Sequence, residues 1–469
     1  MAERKYEIGM VGLGVMGRNL VLNIADHGYS VSGYDKDLSK VQELQTEAGS
    51  RAINAAQSLE GFVSVLSTPR VIMMLVPAGP AVDNVIHELM PYLETGDLII
   101  DAGNSHFIDT DLRAKSLADK GFLYMGVGVS GGEDGARHGP SLMPGGPKEA
   151  YERVRPIFEA VAAHVEGVPC VAYLGPGSAG HYVKMVHNGI EYGLMELIAE
   201  SYDLMKRGLG LSDEELSVVY GNWNDAELNA YLIEITSHIF RKVDERTGKR
   251  LVDLILDEAE QKGTGMWTSQ DAMDIQVPTP VIDAAVAARN LSALKSEREA
   301  ASRTLRVQIP HFEGDQDALL TQLKGAIYAS MIIAYAQGLA QLRIASKVHD
   351  YNIDLEDVAC IWRGGCIIRA AVLEEIRAAF HANPDLPNLL TDSYLGQEVM
   401  AKQEDLRAVV GLAARLGLPA PCLMASLAYL DGYRSAWLPA SLIQAQRDDF
   451  GAHTYEREDA KGVFHTHWE

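Results

Sequence analysis

Cysteine is scarce in this chain: Cys170, Cys360, Cys366 and Cys422 are the only four in 469 residues. They show neither CxxC nor zinc-finger spacing, which excludes a disulfide framework and reads as reduced, buried thiols. Positive charge is also short. Lys and Arg total 41 against 64 Asp and Glu, for a formal net charge of −23. A surface that acidic repels phosphate backbones and anionic lipids, so neither nucleic acid nor a membrane is expected as a partner. No run of eighteen apolar residues occurs, and the opening MAERKYEIGMVG enters a strand pattern without a secretory apolar core; a soluble, cytoplasmic protein is expected. HExxH, paired DxD and Cys/His clusters are missing too, so no metal is expected. What is present is ordinary. Hydrophobic residues at 47% and charged residues at 22% describe a globular chain, and its length suits three domains at one per ~150 residues. An anionic small substrate stays open wherever a few basic residues converge.

Two styles of sequence divide the chain. Up to residue 178, short apolar runs (Ile8–Val11, Val31–Tyr34, Val71–Val76, Leu98–Ile100, Phe122–Val127) alternate with helix-length segments. That rhythm predicts an α/β domain, a Rossmann-like doubly wound and mainly parallel sheet, over 1–178. Past Gly175-Pro-Gly-Ser-Ala-Gly180, patterns of period 3.6 rich in Ala, Leu, Met and Glu take over, predicting a large all-α domain over 179–435. Within it Leu211–Tyr220 resembles Ile353–Trp362 at an offset of 142 residues, each after a long helix, His181–Arg207 and Leu323–Val348. An internal duplication and two unrelated units with similar caps both fit. The last segment, 436–469, is too short for a domain and too aromatic for free coil; it is expected to dock on something.

Gly12-Leu-Gly14-Val15-Met16-Gly17 follows the first strand and opens a helix, and a second strand then ends at Asp35. The whole unit spans about 30 residues, as dinucleotide binding requires: Gly12 for the tight turn, Gly14 for approach to the pyrophosphate, Gly17 for close helix–sheet packing. Asp35 stands where a carboxylate accepts from the ribose 2′-hydroxyl of NAD. A 2′-phosphate there meets Asp35 and Asp37, with Lys36 as the local cation, and charge alone favours NAD.

Lys184, His187, Asn188, Glu191 and Tyr192 stand at i, i+3, i+4, i+7 and i+8, hence on one helix face. A solvated amphipathic helix is the bland alternative. The mixture of residue types, with Gly189 and Gly193 leaving room for close approach, instead suits a lining where a lysine and a glutamate act as base and acid. Asp101-Ala-Gly-Asn104 and Ser130-Gly131-Gly132 end apolar strands at the ligand-binding edge of the sheet. Lys262, Thr264 and Arg289 add cations and a hydroxyl in a region otherwise acidic.

These segments together resemble the decarboxylating 6-phosphogluconate dehydrogenase family. The Gly-rich turn, DAGNSHF, GVGVSGGEDGARHGPSLMPGG, KMVHNGIEYG, QKGTGMWT, AARNLSALKSER and RDDFGAHTYE occur in order across nearly the whole chain. The resemblance implies a cytoplasmic homodimer of the pentose phosphate pathway, a duplicated helical domain, and a tail inserted into the partner subunit. It implies oxidative decarboxylation of 6-phosphogluconate to ribulose 5-phosphate and CO2 with NAD or NADP, Lys184 as general base and Glu191 as general acid. Cofactor contacts then fall on Gly12, Gly14, Val15, Met16, Gly17, Asp35, Lys36, Asp37, Val76 and Asn104. Substrate carboxylate and hydroxyl contacts fall on Asn104, Ser130, Gly131, Gly132, His187 and Asn188. Phosphate contacts fall on Tyr192, Lys262, Thr264 and Arg289, joined by Arg447 and His453 of the other subunit. The chain departs from the family pattern at Asp35-Lys36-Asp37, at Pro77 after Val76, at Met266 and at Asp449. The first two put NADP preference in doubt. Two rival readings are a β-hydroxyacid dehydrogenase acting on a substrate without phosphate and a catalytically silent dinucleotide-binding protein.

Overall fold

A computed structural model describes residues 5–306 and 308–468. The N-terminal apolar runs are strands: β1 (Ile8–Val11), β2 (Val31–Tyr34), β3 (Ile53–Ala56), β4 (Val71–Met74), β5 (Leu98–Asp101), β6 (Leu123–Ser130) and β7 (Ser141–Gly145). They form one sheet in the order β3-β2-β1-β4-β5-β6-β7. Strands β1 to β6 pair in parallel, and β7 runs antiparallel to β6. Chain order reverses between β1 and β4, and the crevice beyond their carboxyl ends is where such sheets take ligands. Two strands of this sheet lie outside the sequence reading. The β3 sequence INAA is half-exposed and lacks a strand-like apolar run. In β7, SLMPG carries Pro144 and Gly145; those residues read as a turn and are tolerated because β7 is an edge.

Six helices carry the argument: α1 (Val15–Asp26), α2 (Ala179–Asp203), α3 (Thr264–Asp274), α4 (Pro280–Ser292), α5 (Gln316–Val348) and α6 (Ala440–Gly451). Helix α2 joins the two regions, packing on β6 and β7 on one side and on α3, α4 and α5 on the other. It can lie on the sheet because β6 has no side chain at Gly128, where a Cβ would come 2.4 Å from the Cβ of Lys184. Helix α5 is long and apolar enough to cross a membrane, yet Ile332, Ile333, Ala334, Tyr335 and Ala336 are all fully buried inside the protein. Two glutamines make it a spine. The buried Gln337 Oε1 accepts from the Val281 N–H of α4 at 3.0 Å, and Gln341 Nε2 donates to the Thr268 carbonyl of α3 at 3.0 Å.

The two similar segments are capped differently. Ser212 and Glu215 make a reciprocal capping box on the helix Asp213–Asn224, whereas Asp354 alone caps Leu355–Trp362. Each follows a long helix, α2 and α5, which pack on each other. Both long helices start earlier than the periodicity predicts, and α2 ends at Asp203 in a π-helical turn, Leu204–Gly208.

The tail folds on itself. Helix α6 packs against a hairpin of Tyr455–Glu456 and Val463–Phe464. At its centre the buried Asp448 carboxylate accepts from Thr454 N, His465 Nδ1, Thr466 N and Trp468 Nε1, all at 2.9–3.0 Å. Burial pushes the Asp448 pKa up, but these donors outweigh it and hold it well below the usual carboxylate range. Outward, the tail shows Trp437, Leu438, Leu442, Ile443 and Phe450 to solvent.

Candidate active site

The site begins at the β1–α1 turn. Gly12 has φ +96°, and a Cβ on Gly17 would lie 1.9 Å from the Gly12 carbonyl oxygen, so α1 can start here only with glycine at both places. Nothing lies within 4 Å of a Cβ position on Gly14, leaving the helix N-terminus open to a phosphate. Gly14, Val15, Met16 and Gly17 line a cavity of about 600 Å3 that runs past Val76 to Asn104. A second cavity of about 210 Å3 holds Gly12, Asp35, Lys36 and Val76. An uncovered Gly14, a free helix N-terminus and an elongated cavity fit a dinucleotide.

Of the cofactor residues named from sequence, Asp37 lines neither cavity. It caps the helix Leu38–Ala48, accepting from Ser39 N at 3.0 Å and Ser39 Oγ at 2.7 Å. Asp35 accepts from Leu13 N at 2.8 Å and Asp37 N at 2.9 Å, which fixes it beside the Gly-rich turn.

A third cavity, about 420 Å3, shares Met16, Asn104, Val129 and Lys262 with the first. It is lined by Ser130, Gly131 and Gly132 from the end of β6, by Lys184, Asn188, Glu191 and Tyr192 from α2, and by Thr264 and Arg289. One chain thus gathers nearly every substrate residue named from sequence. His187 sits behind the lining. It is fully buried, with Nε2 3.2 Å from Ser130 Oγ, Nδ1 3.0 Å from Asn188 Oδ1 and 3.5 Å from Lys184 Nζ. Asn188 Nδ2 in turn donates to Thr264 Oγ1 at 3.0 Å. Arg289 stacks 3.5 Å over the Tyr192 ring, and Gly265 permits that ring, since a Cβ there would meet it at 2.3 Å. Arg447 and His453 do not line the cavity. Both are exposed on the tail, where Arg447 donates to Gln444 at 3.0 Å.

Burial pulls the two central groups in opposite directions. It lowers the Lys184 pKa, against the opposing charge of Glu191, and raises that of Glu191, against Lys184 and Arg289. The amine moves toward its neutral form and the carboxyl toward its protonated form, the division of labour that acid–base catalysis needs. Burial and the Lys184 charge together push His187 well below its ordinary range, so it serves here as a neutral hydrogen-bonding group.

Some residues escaped the sequence reading. Glu260 and Gln261 line the third cavity, but nothing in their spacing marks them. Asp101, read from sequence as the end of a strand at the ligand-binding edge, is buried and accepts from Gly103 N at 3.0 Å, Ser105 Oγ at 2.6 Å and Tyr124 OH at 3.1 Å; it shapes the loop that presents Asn104. Met266 packs half-buried on the helical core and Asp449 is exposed, so neither departure touches the cavity.

A doubly wound sheet with a Gly-rich turn, opening onto a cavity lined by a buried lysine and a half-buried glutamate, defines a nicotinamide-dinucleotide-dependent oxidoreductase. Residues 7–175 match the NAD binding domain of 6-phosphogluconate dehydrogenase and residues 180–468 its C-terminal domain. The chain belongs to the 6-phosphogluconate dehydrogenase family. It is 52% identical to the NADP(+)-dependent, decarboxylating 6-phosphogluconate dehydrogenase of Bacillus subtilis, over 99% of each chain. With the decarboxylating enzyme of Lactococcus lactis strain IL1403 it shares 50% identity over 100% of this chain and 99% of the relative. The structure of Plasmodium falciparum 6-phosphogluconate dehydrogenase, described in apo form and with NADP+ or 6-phosphogluconate, superposes with a TM-score of 0.95 at 43% identity. That match covers 98% of this chain and 100% of the other.

Proposed function

We propose that this chain oxidises and decarboxylates 6-phosphogluconate, with Lys184 as base and Glu191 as acid. The observation that carries the reading is their shared cavity, in which burial shifts the two pKa values in opposite directions. Lys184 Nζ takes the proton of the C3 hydroxyl. A bound nicotinamide dinucleotide supplies the hydride acceptor. The 3-keto acid loses CO2 because its carbonyl receives the electrons as an enol, and Glu191 then delivers a proton to C1 of ribulose 5-phosphate. Ser130, Gly131, Gly132, Asn188 and Asn104 hold the carboxylate and hydroxyl end, with His187 buttressing Ser130 and Asn188. Tyr192, Lys262, Thr264 and Arg289 hold the phosphate; the cations of this group are what a substrate without phosphate leaves unused. Lys184→Met keeps the volume but cannot accept a proton, so turnover falls by ~10²–10⁴ or more while substrate binding weakens far less. Near-normal turnover in that variant refutes the assignment.

The reading extends to a cytoplasmic homodimer in which residues 1–178 bind the dinucleotide and 179–435 the substrate, while the tail 436–469 brings Arg447 and His453 to the partner's site. The exposed apolar row on the tail supports this, since monomers rarely leave such a row uncovered. NAD is the preferred dinucleotide. Support comes from Asp35, fixed at the end of β2, and from Pro77, which lines the same cavity.

A further inference from the structure

The outer wall of the 210 Å3 cavity carries a charge pair between distant parts of the sequence. Lys36, just past β2, places Nζ 2.7 Å from Glu88 Oε1 on the helix Pro80–Leu89, 52 residues away. The pair spans the cavity from the β2 side to the helix after β4, beside Asp35 and over apolar walls from Leu59, Val76 and Val85. The neighbouring Lys40 has its Nζ 3.7 Å from Asp35 Oδ2. Both lysines at the tip of β2 are thus already engaged by carboxylates. The Glu88 hydrogen bond is the largest influence raising the Lys36 pKa above its ordinary value.

We propose that Glu88 is a cofactor-selecting residue: by holding Lys36 it withholds that cation from a ribose 2′-phosphate and sets a second carboxylate beside Asp35. The inference rests on the dinucleotide reading above and deepens it. A 2′-phosphate brings about two negative charges to this wall. Lys36 has a flexible four-carbon stem, and once released it can swing toward that phosphate as a point charge. The pair is shallow, with the two side chains 60% and 40% exposed, so its contribution to stability is small and its effect on selectivity moderate.

The test is the NADP:NAD ratio of kcat/KM at saturating 6-phosphogluconate. Glu88→Gln is expected to raise that ratio roughly three- to ten-fold, and more at low salt than at high. Glu88→Lys is expected to raise it further. The gain should shrink when Lys36→Gln is added to Glu88→Gln, leaving only the part due to the lost carboxylate. The affinity of 2′,5′-ADP relative to 5′-AMP, which needs no turnover, should follow the same order. An unchanged ratio in both single variants overturns the proposal, as does a gain that is undiminished when Lys36 is removed. The wild-type ratio itself judges the NAD reading. A wild type that prefers NADP refutes that reading, whereas the role of Glu88 stands or falls on the shift between variants.

Discussion

The two ends of the active-site crevice handle charge in opposite ways. At the cofactor end, Lys36, Lys40, Asp35 and Glu88 are shallow and paired at 2.7–3.7 Å. At the reaction end, Lys184 and Glu191 are drawn into the protein, and their ordinary ionisation is opposed by burial. Paired surface charges cost little to assemble and contribute little to stability, but they sort ligands by charge. Buried titratable groups are expensive, and they concentrate where proton transfer is needed. In the reading proposed above, selectivity and chemistry are therefore carried by separate sets of residues. Each set can be altered while the other is read out.

The largest effect is expected at the buried end. Glu191→Gln keeps a hydrogen-bonding amide but cannot give up a proton, so steady-state turnover falls by ~10²–10⁴. Wild-type speed in this variant would place the acid elsewhere. The next effect belongs to the paired end. Asp35→Asn with Asp37→Ser should move the specificity ratio toward NADP by roughly ten- to a hundredfold, the equivalent of about 1.4–2.8 kcal/mol. Serine is also a good N-cap, so the helix after β2 survives and folding is not confounded. Initial rates with both dinucleotides decide it; a ratio that stays put denies Asp35 its role.

A third prediction asks whether the crevice has a further wall from another subunit. Mixing Lys184→Met with Arg447→Ala chains after subunit exchange should restore about a quarter of the wild-type sites if the tail acts in trans. Exchange shown by mass spectrometry without recovered activity counts against it. The smallest effect lies away from the crevice. Glu200 is buried and accepts from Cys422 N at 2.6 Å and Leu423 N at 2.9 Å, yet burial pushes its pKa up to about 8. A carboxyl raised on folding binds more protons in the native state, so its contribution declines as pH climbs from its unfolded value near 4.5 toward 8. Thermal unfolding at pH 6 and pH 8 should show wild type losing more stability across that interval than Glu200→Gln. Equal losses would remove Glu200 from the pH response.

Much of this was legible in the sequence because it is local. The Gly-rich turn and Asp35 sit in one strand–helix–strand unit, and the Lys184–Tyr192 stripe in one helix. What escaped is set by contacts between distant segments. Glu88 gains its meaning only where the helix after β4 passes the tip of β2. Gln337 and Gln341 look like surface residues of an apolar helix until α3 and α4 cover them. Strand β7 hides behind Pro144 and Gly145, whose turn-like character matters less at an edge. Asp37 shows the converse: its position beside Asp35 suggests a ligand contact, while its side chain caps the next helix and lines neither cavity.

Asp448 has a consequence for how the chain ends. Four donors from residues 454 to 468 converge on one carboxylate, so the last stretch is tied into a hook before it meets anything else. A preformed hook surrenders little conformational freedom on contact, whereas a loose strand must be ordered as it docks. In the dimer proposed above, assembly would then resemble the fastening of two finished parts. The step most sensitive to Asp448→Asn would be the shaping of the hook within each chain, ahead of any encounter between chains.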